Sequence, residues 1–429
     1  MKKYTLFSLF VLLLTLNACM DKYTEVYTAN VPVYMSYENL RSAVKTTAAT
    51  ELVNPGKIYF KDNYILIVEK HKGVHILDVS APANPKNVSF IEIPGCVDIA
   101  VKNSVLYADS YIDLVAIDVS DLAKIKEVNR VKDAFPYAVP PTENEYRIGK
   151  IDQEKGVVID WELKKERNEL EEQPYYPVYY GWELDKRGMY NLADAAFSGS
   201  SPTTGAATFG KGGSMARFGL YDDFLYTVDQ YSMYVFDVST DNNPVKIVKQ
   251  GLSWNIETMF LYDDHMFLGT TNGLIILDLE TPSLPKQISS FAHITSCDPV
   301  VVQDGYAYIT LRSGQVCRNT TVNRLDIVKL SADYKTNSML ASYDLKQPYG
   351  LGIDNNTLFV CDDGLKVFDA TDKLKIMQHQ IAHFSNIKAF DVIPLNKFLF
   401  TVGEDGFYLY DYTNLNDIKQ ISKIPVAKK

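Results

Sequence analysis

From about residue 54 to the C-terminus, apolar residues alternate with polar ones in runs of four to seven, and each run is closed by Gly, Pro, Asn or Asp. The first stretch shows the pattern. Lys57-Ile58-Tyr59-Phe60-Lys61 alternates, Asp62-Asn63 turns the chain, and Tyr64 to Glu69 alternates again. Lys72-Gly73 makes a second turn, Val74 to Val79 a third run, a proline-rich stretch a third turn, and Asn87 to Ile93 a fourth run. A period of two in short runs bounded by turn residues predicts β-strands. Four antiparallel strands in about 40 residues make one small sheet, which cannot bury both faces alone but can do so when stacked radially on its like.

The third run carries a phrase that recurs. GVHILDVSAPANPKNV (Gly73 to Val88) returns as LVAIDVSDLAKI from Leu114, YVFDVSTDNNPVKI from Tyr234, LIILDLETPSLPKQI from Leu274, LKVFDATDKLKI from Leu365 and FYLYDYTNLNDIKQI from Phe407. Its aspartates, Asp78, Asp118, Asp237, Asp278, Asp369 and Asp411, set the beat. Asp78 to Asp118 is 40 residues, Asp237 to Asp278 is 41, and Asp369 to Asp411 is 42. The 91 residues from Asp278 to Asp369 leave room for a worn unit, RLDIVKLSADYKT (Arg324 to Thr336), with Lys329 in place of the aspartate. The 119 residues from Asp118 to Asp237 hold one step and an insertion over 138–214. The expected fold is all-β: a β-propeller of seven four-stranded blades, with six or eight also compatible, spanning 54–429. The repeated aspartate ends the third strand, where its carboxylate can accept hydrogen bonds from the following turn, and the proline fixes φ. A group present in six blades is expected to build corners, not to catalyse.

The phrase and four non-repeat segments, PVYMSYENLRSAV (Pro32 to Val44), GGSMARF (Gly212 to Phe218), TSCDPVVV (Thr295 to Val302) and PYGLGID (Pro348 to Asp354), resemble the LVIVD-repeat family of exported bacterial proteins, especially lipoproteins of the Bacteroidota. The resemblance implies a propeller at the cell envelope. It implies no activity.

The N-terminus agrees. Lys2 and Lys3 precede an apolar core from Leu6 to Leu16, and Leu16-Asn17-Ala18-Cys19 resembles a bacterial lipoprotein signal. Residues 1–18 are therefore expected to be a signal peptide and Cys19 the lipidated residue, with 19–53 a tether carrying a short helix. The body would be anchored at the outer membrane, on its periplasmic face, because Met20-Asp21-Lys22 lacks a dense acidic run. A net charge of −10 argues against nucleic acid as a partner. A monomer is expected. Cys297 and Cys317 bracket one strand pair and could form a disulfide, while Cys96 and Cys361 fit as buried small residues.

Function is to be sought where the blades differ. At the starts of first strands lie Asp98, Arg217, Glu257, Asp298 and Asp391. At the ends of second strands lie Glu69, Asp109, Asp229, Arg312, Asp362 and Glu404. In a closed propeller these converge on one mouth of the central channel. They could form a negative ring for calcium or a cationic partner, or the carboxylates could cap backbone N–H groups. The insertion clusters Tyr175, Tyr176, Tyr179, Tyr180 and Trp182, which could bind a glycan or an envelope protein, or fold back over a blade or into the channel. Enzyme signals are weak. There is no GxSxG, HExxH or P-loop, and the His71/His75 and His379/His383 pairs fall in strand-and-turn sequence. The sequence thus favours a non-catalytic binding or scaffold lipoprotein without a resident cofactor. The alternative is a carbohydrate-active hydrolase or lyase using channel-mouth carboxylates.

Overall fold

Seven antiparallel four-strand units follow one another in the computed structural model, over 55–92, 99–131, 218–251, 256–292, 300–344, 348–384 and 389–425. We number them blades 1 to 7. The structure describes residues 24–136, 138–142, 146–169, 178–179, 211–252, 255–292, 299–313 and 322–427.

Each blade is a meander whose first strand is innermost. These inner strands, Pro55–Lys61, Ile99–Lys102, Phe218–Tyr221, Ile256–Tyr262, Val300–Gln303, Pro348–Asp354 and Ala389–Leu395, pack each on the next, and the last packs on the first. The ring is closed and has seven blades. Apolar clusters fill the spaces between neighbouring blades: Val235, Met259 and Leu268 between blades 3 and 4, Leu325, Leu351 and Val360 between 5 and 6, Phe359, Val392 and Tyr408 between 6 and 7. Ile58, Ile67, Ile393 and Phe400 join blade 7 to blade 1. Burying each such side chain stabilises by about 1.5–3 kcal/mol. Among the described residues no strand is exchanged between the first and last blades. A parallel bridge of Leu52 with Val426 and a 2.7 Å bond from Ala427 N to Leu52 O add to the seam.

The local rules repeat with the blades. The turn between first and second strands places Asp62, Asn103, Asp222, Asp263, Asp304, Asn355 and Asn396 at φ of 49–55°. Asp and Asn tolerate this left-handed region better than other residues with a side chain, and it suits tight hairpins. After the third strand, Oδ1 of Asp78, Asp118, Asp237, Asp278, Asp369 and Asp411 accepts from the backbone N–H two residues on, at 2.5–2.9 Å. Bonds from the hydroxyls of Ser80, Ser120, Thr371 and Thr413, and then from their backbone N–H groups, hold the carboxyls of Asp78, Asp118, Asp369 and Asp411 below their usual range. The phrase is therefore a corner. In blade 5, where Lys329 replaces the aspartate, Ser331 and Asp333 organise the turn through a 2.7 Å side-chain bond. Its Leu330 N still reaches Gly305 O at 2.9 Å, as Val79 N reaches Asn63 O in blade 1.

The tail of the insertion enters the hub. Lys211–Gly212 pairs antiparallel with Tyr59 and Phe60 along the inner edge of blade 1. Gly213 N then bonds Ile58 O, Leu351 N of blade 6 donates to Ser214 Oγ at 2.8 Å, and Met259 N of blade 4 donates to Ala216 O at 2.7 Å. The segment 211–217 thus ties blades 1, 4 and 6 at their centre. The short helix Tyr37–Arg41 docks on blade 2, where Arg41 and Arg130 both pair with the buried Asp113 at 3.0 and 3.2 Å.

A second unit comprises residues 1–36 and 140–177. Here the structure departs from the expected tether. Thr24–Met35 is a twelve-residue strand, antiparallel along its whole length to Val157–Glu169, with a bulge between Val33 and Tyr34. Arg147–Ile148 adds a short parallel pairing at Ala29 and Asn30. Lys164, Lys165, Glu166 and Arg167 belong to the ribbon because each faces a partner residue of the first strand. Their polarity hid the pattern, since the second strand is exposed or half-buried over 159–167 and need not alternate apolar and polar residues there.

Candidate functional site

Three of the carboxylates at the ends of second strands, Glu69, Asp109 and Asp362, are buried. Glu69, buried at the end of Tyr64–Glu69, accepts from Val53 N at 3.0 Å and Asn54 N at 2.6 Å. Asp109 accepts from Val97 N and Asp98 N at 2.7 and 3.0 Å, and Asp362 from Lys346 N and Gln347 N at 3.0 and 2.7 Å. One device recurs in blades 1, 2 and 6: the second strand's last carboxylate clamps two successive N–H groups where the chain enters the inner strand. Asp229 instead caps its own turn at Tyr231 N and Ser232 N and accepts from the Tyr234 hydroxyl at 2.7 Å. Burial alone would raise the Glu69 carboxyl, but bonds from His75, Val53 and Asn54 outweigh it and hold the group below its usual range. Asp109 is pushed up to about 6, chiefly by burial, against the pull of its two backbone bonds.

The hub is polar and largely buried. Lys57 Nζ lies 2.7 Å from Asp98 Oδ2, with side-chain exposures of only 16% and 5%. The same carboxylate accepts from Arg217 N and from Phe218 N at 3.1 Å, and its Oδ1 from Ile99 N at 2.8 Å. Asp98 therefore fastens blades 1, 2 and 3. Burial lowers the Lys57 ammonium and Asp98 opposes that shift. Asp391, fully buried, accepts from Val392 N at 3.0 Å and from Ser214 Oγ at 3.4 Å, while its Oδ2 takes no hydrogen bond from the described residues. Burial pushes this carboxyl up to about 7. Gly213 and Gly350 flank it. A methyl group on Gly213 would overlap the carboxylate, and one on Gly350 would sit 2.8 Å from Oδ1.

A cleft opens on the same face, where inner strands begin and second strands end. Its volume is about 970 Å³, with Met215 of the hub segment in its lining, and it runs across loops of blades 5, 6, 7 and 1. Its charged side chains are Lys70, Arg312, Lys346 and Lys388 against Asp363 and Glu404. The Arg312 guanidinium lies over the Tyr349 ring at 4.2 Å, and the Lys70 ammonium over Phe390 at 5.4 Å. Glu404 is exposed and 3.5 Å from Lys388 Nζ.

The expected acidic ring is thus divided. Glu69, Asp98, Asp109, Asp229, Asp362 and Asp391 bond the backbone, and Asp362 also pairs with Lys366 Nζ at 2.6 Å. Glu257 is half-buried, and its carbonyl accepts from Arg217 Nε at 3.0 Å. Of the described members of the set, only Arg312 and Glu404 line the cleft. Among the described residues no group of three or more His, Cys, Asp or Glu is arranged to hold a metal ion, so these do not form a calcium cage. His75 is buried between Glu69 and Asn87. Cys96 and Cys361 are buried free thiols. Cys19, Cys297, Cys317, Asp298, Tyr175, Tyr176, Tyr180 and Trp182 lie outside the described residues, and Tyr179 is described only as backbone, paired with Val139. Lys70, Lys346, Lys388, Tyr349 and Phe390 were missed by reading for carboxylates. They sit in the very loops singled out, and weighing both signs of charge there would have found them.

The LVIVD repeat model matches residues 56–90 and 96–133, blades 1 and 2. No protein of curated function matches the chain. Solved structures share the fold. A protein from Lactobacillus plantarum is 12% identical, covering 87% of this chain and 97% of that one, with a TM-score of 0.54. The periplasmic gluconolactonase PpgL of Pseudomonas aeruginosa is 10% identical, covering 86% and 97%, with a TM-score of 0.53. BamB from Moraxella catarrhalis is 10% identical over 89% and 87%, with a TM-score of 0.43. At these identities the likeness to the first two concerns the fold alone.

Proposed function

We propose that this protein is a lipid-anchored binding module of the bacterial envelope, holding a glycan or an envelope protein on the hub face of its propeller without chemical turnover. The observation that carries this reading is the division of labour on that face. Six carboxylates that could serve as acids or bases are bonded to the backbone, whereas the cleft is lined by four cations, two of them over aromatic rings and two paired with Asp363 and Glu404. Such a lining suits binding: its two carboxylates, Asp363 and Glu404, are exposed and each faces a lysine, Lys346 and Lys388. The anchor is Cys19, behind the signal-like residues 1–18, and the periplasmic face of the outer membrane is the location that fits the residues after it. No described helix is long and apolar enough to cross a membrane.

The competing reading, a carbohydrate-active propeller enzyme, draws on Asp109 and Asp391, whose raised pKa values would suit proton donors near neutral pH. Both are buried, Asp391 completely, so neither touches the cleft in this conformation. The test is to incubate the purified chain with a panel of envelope polysaccharides and lactones, measuring bound ligand and product together. Binding without product is expected. Product formation lost in Asp109→Asn or Asp391→Asn would overturn the non-catalytic reading.

A further inference from the structure

We propose that one face of the ribbon formed by Thr24–Met35 and Val157–Glu169 lies against a phospholipid surface carrying anionic headgroups. The inference rests on the lipid-anchor part of the proposed function and names the partner of the second unit.

The first ground is how the pairing sorts charge. Successive residues of a strand point to opposite faces, and directly paired residues of neighbouring strands share one. The register pairs Val26 with Arg167, Thr28 with Lys165, Asn30 with Leu163 and Pro32 with Trp161. Over these four pairs the face carries two cations and no acid. The alternate pairs, Tyr27 with Glu166, Ala29 with Lys164, Val31 with Glu162 and Val33 with Asp160, put three carboxylates on the other face. Lys164 is engaged there with Glu162. Charge that is mixed along the strand is thus separated by the pleat.

The second ground is exposure. The cationic face is also where the ribbon is apolar and open. Val26 is 62% exposed and Leu163 48%. Tyr146, whose carbonyl accepts from Asn30 Nδ2 of this face at 2.9 Å, is 48% exposed as well. Lys165 and Arg167 are exposed. Exposed apolar residues scattered singly carry no meaning, but three gather here on one short ribbon beside two long cations. Aliphatic groups, an aromatic ring and cations on alkyl stems suit the interfacial zone of a bilayer, where rings sit at headgroup depth and the charged tips reach phosphates. A second copy of the chain would set like charges against each other if the same faces met, so charge favours the anionic surface as occupant.

The third ground is reach. Thr24 follows Cys19 by five residues. An extended chain spans at most about 3.6 Å per residue, so Thr24 stays within about 18 Å of a lipidated Cys19. Val26 and Arg167 come two residues further on. An anchored ribbon therefore meets the surface at an effective concentration in the millimolar range. Each basic side chain near an anionic surface contributes about fivefold in affinity, so Lys165 and Arg167 together give about thirtyfold before apolar contacts are counted. That preference is small for recruiting a free protein and sufficient to orient a tethered one.

The test uses the full-length chain expressed in its envelope, purified in detergent and inserted into preformed vesicles of phosphatidylcholine, with or without phosphatidylglycerol. A membrane-impermeant amine-acylating reagent then labels lysines, and mass spectrometry compares Lys165 with Lys164, its neighbour on the opposite face. In vesicles with phosphatidylglycerol the Lys165 to Lys164 labelling ratio should fall about tenfold. It should recover in high salt, recover in Arg167→Glu, and stay low in Asp160→Asn on the other face. Circular dichroism melts confirm that both variants fold. Sedimentation with the vesicles reports the anchor separately. A chain that sediments but keeps one labelling ratio in both vesicles and in detergent overturns the docked face and leaves the anchor standing. A chain that does not sediment overturns both. Protection of Lys165 that persists in detergent or in neutral vesicles overturns the inference in favour of a protein cover, a second copy included.

Discussion

Replacing Asp98 by alanine removes one carboxylate and unfastens three blades. The side chain pairs with Lys57 Nζ at 2.7 Å and accepts from the backbone N–H groups of Ile99, Arg217 and Phe218, all around a side chain only 5% exposed. Its loss strands a mostly buried ammonium, and breaking a buried pair from one side costs about 3–5 kcal/mol. The orphaned N–H groups cost about 1–3 kcal/mol each where water cannot reach them, but these terms overlap and do not add. We expect Asp98→Ala to lower unfolding free energy by about 4 kcal/mol, read by urea denaturation at pH 7. The pH dependence follows from Lys57, which burial already depresses. Without Asp98 it falls further, so the unfolded chain binds more protons than the folded one and stability rises with pH. The defect should therefore shrink on approaching the lysine's ordinary pKa. Lys57→Met should cost less than Asp98→Ala, because Asp98 keeps its backbone partners. The double variant should be at least about 1 kcal/mol more stable than the sum of the single losses. A loss below about 1 kcal/mol for Asp98→Ala, or strict additivity in the cycle, would refute the argument that this pair couples the hub.

Two further outcomes concern the hub segment. Asp391, pushed up to about 7, holds a proton in the folded state that the unfolded chain has released. Its contribution is full below the unfolded pKa near 4 and is lost as pH rises to about 7. Asp391→Asn should flatten the urea midpoint between pH 5 and 8, leaving the smaller trend of Asp109; an unchanged slope would sink the assignment. Gly213→Ala puts a methyl group into the Asp391 carboxylate and should cost about 1–3 kcal/mol by overpacking, while Gly251→Ala, with nothing within 4 Å, should cost nothing by packing. Equal effects of the two changes on thermal stability would show that the segment does not pack as described.

Much of this was legible in the chain because it depends on near neighbours. The Asp78 corner joins residues two apart, and the Asp62 turn is a property of two residues. Such devices repeat in the sequence as they repeat in space, and their 40-residue beat identified the propeller. The ribbon of Thr24–Met35 with Val157–Glu169 was not legible, because its partners are more than 120 residues apart and its second strand is charged. The role of the strand-end carboxylates was legible only as a choice. Asp98 and Asp391 are ordinary aspartates in sequence, and what makes them hub fasteners is the arrival of Ser214 and Arg217 from a remote insertion.

The sequence by itself determined the blade, its turns and its repetition, because alternation and turn chemistry act over a few residues. Only the tertiary structure decided which charges face inward and which face a ligand. Closing the ring brings loops of blades 5, 6, 7 and 1 around one opening and threads Gly213 through the centre. Charge that would look acidic when counted along the chain is drawn into backbone bonds there. The surface that remains is a cationic, aromatic-backed cleft, because solvation and hydrogen bonding sort side chains by position in space and not by order in sequence.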